Sequence, residues 1–239
     1  QLNSEVDTIL CPIGGGGIIA GIAVAAKGIN PNIKIVGVQT ANIPSMQESM
    51  KNGEVTTAFK STTIADGIAV KTPGDVTFEI INELVDEVVV VEEDEIAQGM
   101  LFLMENQKVV AEGAGAVTTA ALLSGKYVPK KDENVVCVIS GGNVDVNTLY
   151  RVIGTALTKE ARRYSFNTVI QDKPGGLAEL TKIISEYDAN ILSANLSRSS
   201  MGGALGSLTA EMVLETFNHD HIDKLKVAIT EAGFEIVEI

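Results

Sequence analysis

The chain has 239 residues, of which 45% are hydrophobic, 21% charged and 4% aromatic, and its formal net charge is −13. Because no basic run offsets this acidity, nucleic acids and anionic membrane surfaces are not expected as partners. No apolar run approaches the ~20 residues of a membrane-spanning helix and no secretory leader opens the chain, which predicts a cytoplasmic protein. Cys11 and Cys137 both lie in apolar runs, so we expect neither a disulfide framework nor a metal cluster.

Strands and helices alternate over residues 1–160. The predicted strands are the nearly continuous apolar runs at 6–13, 33–38, 85–91 and 135–139. Helices are predicted after the glycines at 14–17, after the third strand, from near Glu112 and from near Asp145. This rhythm is typical of an α/β domain whose partial, doubly wound parallel sheet is covered on both faces.

The pattern changes over residues 161–239, where the predicted order is βαββαβ. Strands are predicted at 164–170 and 234–239, with two further strands between the two helices. We expect Leu192, Ala194 and Leu196 to share one face of the first middle strand, and Ala232 to point inward from the last helix. A hairpin turn is predicted at 199–206. This order describes a ferredoxin-like sandwich, so we expect a second domain.

Four consecutive glycines, Gly14, Gly15, Gly16 and Gly17, separate the first strand from the first helix. Without Cβ atoms their N–H groups can converge on one point, and the helix adds its N-terminal dipole. This combination suits a dianionic phosphate. The alternative is a tight turn that only packs the helix on the sheet, but packing alone seldom needs four glycines.

Residues 15–20 also satisfy the loose G-x-G-x-x-[GA] pattern of dinucleotide-binding proteins. A nicotinamide site needs an acidic residue at the end of the second strand to hold the ribose hydroxyls. Here that strand ends in Gln39 and Thr40, and the nearest acid is Glu48. A nicotinamide-dependent oxidoreductase is therefore the weaker hypothesis.

A second turn, Ser-Gly-Gly-Asn at 140–143, follows the last buried strand of the first domain. Ligands of open α/β sheets bind outside the carboxyl ends of the strands, so this turn faces the expected ligand region. The Ser140 hydroxyl could bond a heteroaromatic nitrogen there. Alternatively, Ser140 is a turn residue that satisfies the helix starting near Asp145.

Five segments in this order resemble the fold-type II pyridoxal-phosphate enzymes, and among them the threonine dehydratases (threonine ammonia-lyases) and the serine dehydratase and serine racemase group. The segments are PIGGGGIIAGIA, ADGIAV, VVVVEEDEI, VVAEGAGAVTTAALLSGK and VISGGNVD. The resemblance covers nearly all of residues 1–160. It implies that pyridoxal 5'-phosphate is the cofactor, that the amides at 14–17 hold its phosphate and that Ser140 faces its pyridine nitrogen.

Glu112 opens the EGAGA part of the fourth segment. The resemblance places Glu112 near the cofactor. A carboxylate that serves the N-terminus of the following helix is an equally good interpretation.

The family's Schiff-base lysine belongs to a Ser-Phe-Lys type motif that this sequence lacks. Lys27, Lys34 and Lys60 lie at helix ends or strand edges and are interpreted as solvated. The chain also begins with Gln1 rather than methionine. We therefore expect the C-terminal part of a catalytic domain, with no catalytic residue in this chain and no Schiff base formed by it alone.

The resemblance implies a lyase that converts L-threonine to 2-oxobutanoate and ammonia, with L-serine as a plausible second substrate. Serine racemases carry acidic metal ligands just after the strand that ends here in Gln39, and this sequence has none before Glu48. His219 and His221 have no third ligand nearby, so no metal site is expected. The alternatives are a racemase-like enzyme and a non-catalytic fragment that senses amino acids or dimerises.

Residues 161–239, with DKPGGLAELTKIISEYDANI, resemble the ACT domain that senses small molecules in amino-acid metabolism. The resemblance implies an amino-acid effector site across a dimer interface, and hence a homo-dimer or tetramer. The residues that match that site are Pro174, Gly175, Gly176, Leu177, Asn190 and Ile191. A purely structural dimerisation module is the alternative.

Overall fold

Four parallel strands form the centre of the first part of the chain, in the spatial order β3-β2-β1-β4. They are β1 (Thr8–Pro12), β2 (Lys34–Thr40), β3 (Glu87–Val91) and β4 (Val135–Cys137). The computed structural model describes residues 5–59, 62–198 and 206–238. The chain divides into two compact units, Gln1–Ile153 and Gly154–Ile239.

Helices cover both faces of this sheet, as the alternating pattern predicts. They are α1 (Gly17–Ile29), α2 (Ser45–Asn52), α3 (Asp75–Leu84), α4 (Glu93–Phe102) and α5 (Gly113–Leu123), and α6 (Val146–Lys159) crosses the division between the units. A 3₁₀ turn at Asp66–Ile68 and a π-helical turn at Leu103–Gln107 complete the unit. One apolar cluster packs α1 and α3 on the sheet and another packs α5 on it. Helices α2 and α3 were not predicted.

Helix α5 is buried almost all round, because nine consecutive residues, 113–121, are buried. Most of these residues are glycine, alanine or threonine, so neighbouring segments approach the α5 backbone closely. A Cβ atom on Gly99 of α4 would lie only 2.9 Å from the carbonyl oxygen of Ala116. The packing of α4 on α5 therefore depends on small side chains.

Gln39, at the end of β2, caps a helix from outside that helix. Its side chain is fully buried, and its Oε1 accepts hydrogen bonds from the amides of Met46 (3.1 Å) and Gln47 (3.0 Å) at the start of α2. Its Nε2 donates to the carbonyl oxygen of Ile13 at 3.4 Å. The position where a nicotinamide site needs an acid is thus occupied by a structural amide.

The second unit has the predicted βαββαβ order, with an antiparallel sheet in the spatial order β6-β7-β5-β8. Its elements are β5 (Arg163–Gln171), α7 (Gly176–Glu186), β6 (Asn190–Ser197), β7 (Ser207–Glu215), α8 (His219–Glu231) and β8 (Val237–Glu238). The buried faces of β5 and β7 pack against α7 and α8 in one apolar core. The predicted hairpin turn at 199–206 lies, except for Gly206, outside the described residues.

Two details of the second unit differ from the prediction. A bulge between Ile191 and Ser193 shifts the alternation of β6, so Leu192 does not share a face with Ala194 and Leu196. Leu192 and Leu196 are each 47% exposed because β6 is an edge strand. Ala232 is also exposed, since it caps α8 rather than lying within it.

Over the described residues, no helix combines the length and the apolar character that crossing a bilayer requires.

Glu133 ties β1 to the segment that leads into β4. Its carboxylate accepts hydrogen bonds from the hydroxyls of Thr8 and Tyr127 and, at 2.6 Å, from the amide of Lys130. These bonds, that from Thr8 first, lower the pKa of Glu133 from 4.5 to about 2. The folded state therefore favours the carboxylate form.

We expect Glu133→Gln to lower the free energy of unfolding at pH 7, with the loss shrinking as the pH falls from about 4.5 towards 2. The pKa is depressed in the folded state, so this stabilisation is present above the unfolded pKa and disappears as the pH falls through the folded pKa. Urea denaturation at pH 7, 4 and 2.5 measures it. Glu83→Gln, on the exposed side of α3, is the matched control. If the difference in unfolding free energy between Glu133→Gln and the parent does not change with pH, the lowered pKa of Glu133 is contradicted.

Candidate cofactor site

The two turns singled out in the sequence face one cavity, at the carboxyl ends of β1 and β4. Its volume is about 270 Å³, close to the lower end of the ~300–1,000 Å³ common for small-molecule sites. The lining residues are Pro12, Gly14, Gly15, Gly16, Gly17, Ile18, Gly67, Ile68, Glu112, Ala114 and Ser140. The structure thus brings all five residues of the predicted phosphate and ring contacts together.

The glycine turn leads directly into α1. Gly16 caps the helix with a φ of +95°, a conformation that residues with a Cβ rarely adopt. Thr77 of α3 donates from its Oγ1 to the carbonyl oxygen of Gly15 at 2.6 Å and so fixes the turn. Among the described residues, no backbone carbonyl accepts a hydrogen bond from the amides at 14–17. These amides remain available to an anion at the positive end of a 13-residue helix.

Ser140 is exposed and lines the same cavity. The alternative role, satisfying the following helix, is taken by Asp145, whose Oδ1 accepts hydrogen bonds from the amides of Asn147 and Thr148, both at 3.0 Å. Hydrogen bonds from Thr148, its side chain first, lower the pKa of Asp145. The interpretation of Ser140 as the residue that satisfies α6 is therefore wrong.

Glu112 occupies the N-cap position of α5 but its side chain makes no capping hydrogen bond there. Its Oε2 instead accepts a hydrogen bond from the amide of Asn143 at 3.0 Å. The structure therefore favours the interpretation that places Glu112 beside the ligand cavity over the one in which its carboxylate serves the N-terminus of α5.

The turn at Asp66–Ile68 supplies a wall that the sequence analysis did not assign. Gly67 and Ile68 line the cavity beside the glycine turn, and a Cβ atom on Gly14 would lie 3.1 Å from the Cα of Ile68. The sequence feature that could have indicated this wall is the ADGIAV segment at 65–70, which belongs to the family resemblance. It was not assigned a role because none of its side chains suggests a contact with the ligand.

No lysine is among the described residues that line the cavity. Lys27, interpreted as solvated, is paired with Asp86 at 2.8 Å and its side chain is only 19% exposed, so that interpretation was wrong. Lys34 pairs with Glu87 at 2.7 Å, and Lys60 lies outside the described residues.

The cysteines lie in the sheet and away from the cavity lining. Burial raises the pKa of the Cys11 thiol to about 12, and burial also raises the pKa of Cys137. Both thiols are therefore poor nucleophiles, as expected for small buried side chains.

The residues predicted to bind an effector fall into two groups. Gly175 caps α7 with a φ of +93°, next to Pro174, Gly176 and Leu177, at the end of the sheet where β5 finishes. Asn190 and Ile191 begin β6, and Asn190 pairs in register with Glu215, which in turn pairs with Arg163 at the start of β5. The two groups therefore lie at opposite ends of the sheet and do not form one site within a single chain.

Comparison with known proteins agrees with the parallel α/β fold. The family described as pyridoxal-phosphate dependent enzyme matches residues 1–141. The chain is 45% identical over 232 residues to the L-threonine ammonia-lyase of Thermotoga maritima, covering 97% of this chain but 57% of that protein. It is similar to the processed form of threonine deaminase isoform 2 from Solanum lycopersicum (TM-score 0.59, 34% identity, 65% of this chain and 46% of that chain). Maize serine racemase is also similar (TM-score 0.58, 36% identity, 66% and 49%).

A parallel α/β sheet with an anion cradle at its carboxyl edge is typical of α/β proteins that bind phosphate-bearing ligands. The chain belongs to the family of pyridoxal-phosphate dependent enzymes. It spans 57% of the length of the Thermotoga relative.

The residues present fit this cofactor. The amides at 14–17 have no backbone acceptor among the described residues, and all four glycines line the cavity without a side chain, so a ligand there meets bare backbone. A phosphate dianion is the ligand that such a cradle at a helix N-terminus favours. Ser140 adds a neutral hydroxyl on the β4 side of the same cavity.

Proposed function

We propose that this chain is the C-terminal part of a threonine ammonia-lyase that converts L-threonine to 2-oxobutanoate and ammonia, and L-serine to pyruvate. The single observation that carries the proposal is the shared cavity, where the acceptor-free amides at 14–17 and the Ser140 hydroxyl meet. The name and the 45% identity of the Thermotoga relative support the choice of substrate.

Each part of the cavity has a distinct task in this proposal. The amides at 14–17 bind the cofactor phosphate, and the α1 dipole strengthens that contact. Ser140 faces the pyridine nitrogen as a neutral partner, so the ring need not be fully protonated. When bound, pyridoxal phosphate supplies the electron sink that lets the substrate lose its Cα proton and its β-hydroxyl.

The Schiff-base lysine would come from a part of the full-length protein that this chain does not include. Two observations support this: no lysine is among the described residues of the cavity lining, and the chain spans 57% of the Thermotoga relative. A lysine on the far side of the cavity would complete the site.

A dehydratase is favoured over a racemase-like enzyme by the residues after β2. Gln39 is buried and holds the start of α2 through both Met46 and Gln47, so its oxygen is not free for a cation. Hard divalent cations prefer charged oxygens, which this position does not supply.

We further propose that residues 161–239 are an ACT domain that binds an amino-acid effector between two copies of the chain. The βαββαβ order and the helix N-terminus that Gly175 caps at the start of α7 support this. Because the two predicted effector segments lie at opposite ends of the sheet, two copies are needed to join them. The protein would therefore be a homo-dimer or tetramer.

The test uses the full-length protein loaded with pyridoxal phosphate. We expect release of 2-oxobutanoate and ammonia from L-threonine, and a change in that rate and in the oligomeric state with branched aliphatic amino acids. The present chain alone should give no borohydride-trappable adduct. Racemisation of L-serine without keto-acid release would overturn the lyase assignment. If added amino acids change neither the rate of keto-acid release nor the mass of the oligomer, the effector site is wrong and the second unit is a dimerisation module only.

A further inference from the structure

A carboxylate without a task in the proposed chemistry lies between two turns that face the cavity. Glu112 lines the cavity together with Gly67 and Ser140. A Cβ atom on Gly141 would collide with Glu112 Oε1, and one on Gly67 would lie 3.3 Å from the same atom. Glu112 Oε1 therefore fills the space between the Asp66–Ile68 turn and the turn that carries Ser140.

The turn that carries Ser140 is fixed twice by Glu112. The backbone N–H of Glu112 donates to the carbonyl oxygen of Gly141 at 3.1 Å, and Glu112 Oε2 accepts from the amide of Asn143 at 3.0 Å. The Ser140 hydroxyl has no hydrogen-bond partner of its own among the described residues. Its direction therefore depends on the backbone around it, and that backbone is held by Glu112.

We propose that Glu112 is a positioning residue, which braces the Ser140 turn against the Asp66–Ile68 turn and so directs the Ser140 hydroxyl into the cavity. The identity of the ligand rests on the proposed function, whereas the brace itself does not. The role needs an acceptor rather than a charge. A glutamine amide oxygen can accept the same Asn143 amide, so Glu112→Gln should keep the brace.

The brace is tested first in the full-length protein, without cofactor. Hydrogen exchange of the Asn143 amide should be about tenfold or more faster in Glu112→Ala, because a hydrogen bond to a carboxylate is lost. Glu112→Gln should exchange within about threefold of the parent chain. Glu79→Ala, an exposed glutamate of α3, is the matched control and should change nothing. Unchanged exchange in Glu112→Ala would overturn the inference.

The consequence for Ser140 is tested in the full-length protein. Glu112→Ala should weaken pyridoxal phosphate binding about tenfold and shift the absorbance of the bound cofactor, with Glu112→Gln restoring both. If Glu112→Ala only impaired folding, the variant would be less stable, but the absorbance of the cofactor bound to the folded protein would not shift. If Glu112→Gln is as impaired as Glu112→Ala, the carboxylate acts through its charge on the ligand and the positioning role is wrong.

These outcomes separate the two proposals. If the full-length protein binds pyridoxal phosphate but releases no keto acid from L-threonine, the proposed function fails and the exchange and spectral results still decide the brace. If keto acid is released and neither Glu112 variant moves the exchange or the spectrum, the proposed function stands and the brace fails.

Discussion

Replacing Gly16 with alanine should destabilise the first unit by about 1–3 kcal/mol and weaken pyridoxal phosphate binding by at least about tenfold. The φ of +95° is strained for any residue with a Cβ. The added Cβ would also lie 2.7 Å from Ile81 Cδ1 and 3.0 Å from Thr77. If the chain relieves this strain by moving the first turn of α1, the amides at 14–17 no longer converge on one anion.

Gly21→Ala, in the interior of the same helix, is the matched control for Gly16→Ala. A Cβ there meets nothing within 4 Å. Alanine in a helix interior is favoured over glycine by about 0.5–1 kcal/mol, so this variant should be slightly more stable and bind normally. Urea denaturation and titration with pyridoxal phosphate in the full-length protein measure both effects. If Gly16→Ala matches the parent in stability and in pyridoxal phosphate binding, the amides at 14–17 do not form the phosphate site.

Phe166→Ala should lower the free energy of unfolding of the second unit by about 3–5 kcal/mol. Phe166 is fully buried in the core of that unit, and its ring stacks on Tyr164 with centroids 5.3 Å apart. Truncation removes that apolar contact and leaves a cavity between the sheet and its helices. A loss of this size is a large part of the ~5–15 kcal/mol that stabilises a typical domain.

Phe217 is the matched control for Phe166, because it belongs to the same unit but is 66% exposed. Phe217→Ala should cost less than about 1 kcal/mol. Hydrogen exchange of the β5 segment in the whole chain reports on the second unit without requiring it to fold alone. Equal effects of the two substitutions would contradict the burial of Phe166 in the core of the second unit.

The sequence predicts best where local signals and tertiary structure agree. β1 is a continuous apolar run and α1 follows four glycines, so both were expected, as was the position of Ser140 after β4. Parallel strands end at one edge of a sheet, which is why two turns more than a hundred residues apart could be placed together.

Elements that depend on distant partners could not be predicted. α2 has no capping hydrogen bond from its own N-cap residue, Pro44, because the cap comes from Gln39 on β2. The bulge at Leu192 leaves no pattern in the sequence, yet it reverses the faces of β6. The contact of Glu112 with Asn143 likewise depends on how two turns pack, which neither turn reveals by itself.

The buried helix α5 restricts which residues can replace its glycines. A Cβ atom on Gly115 would collide with the carbonyl oxygen of Gly141, and one on Gly113 with the carbonyl oxygen of Ile64. Because these contacts are backbone against backbone, any side chain at Gly113 or Gly115 would displace a neighbouring chain segment. The shape of the cavity can therefore vary at lining residues such as Ala114 and Ile18 far more easily than at these two glycines.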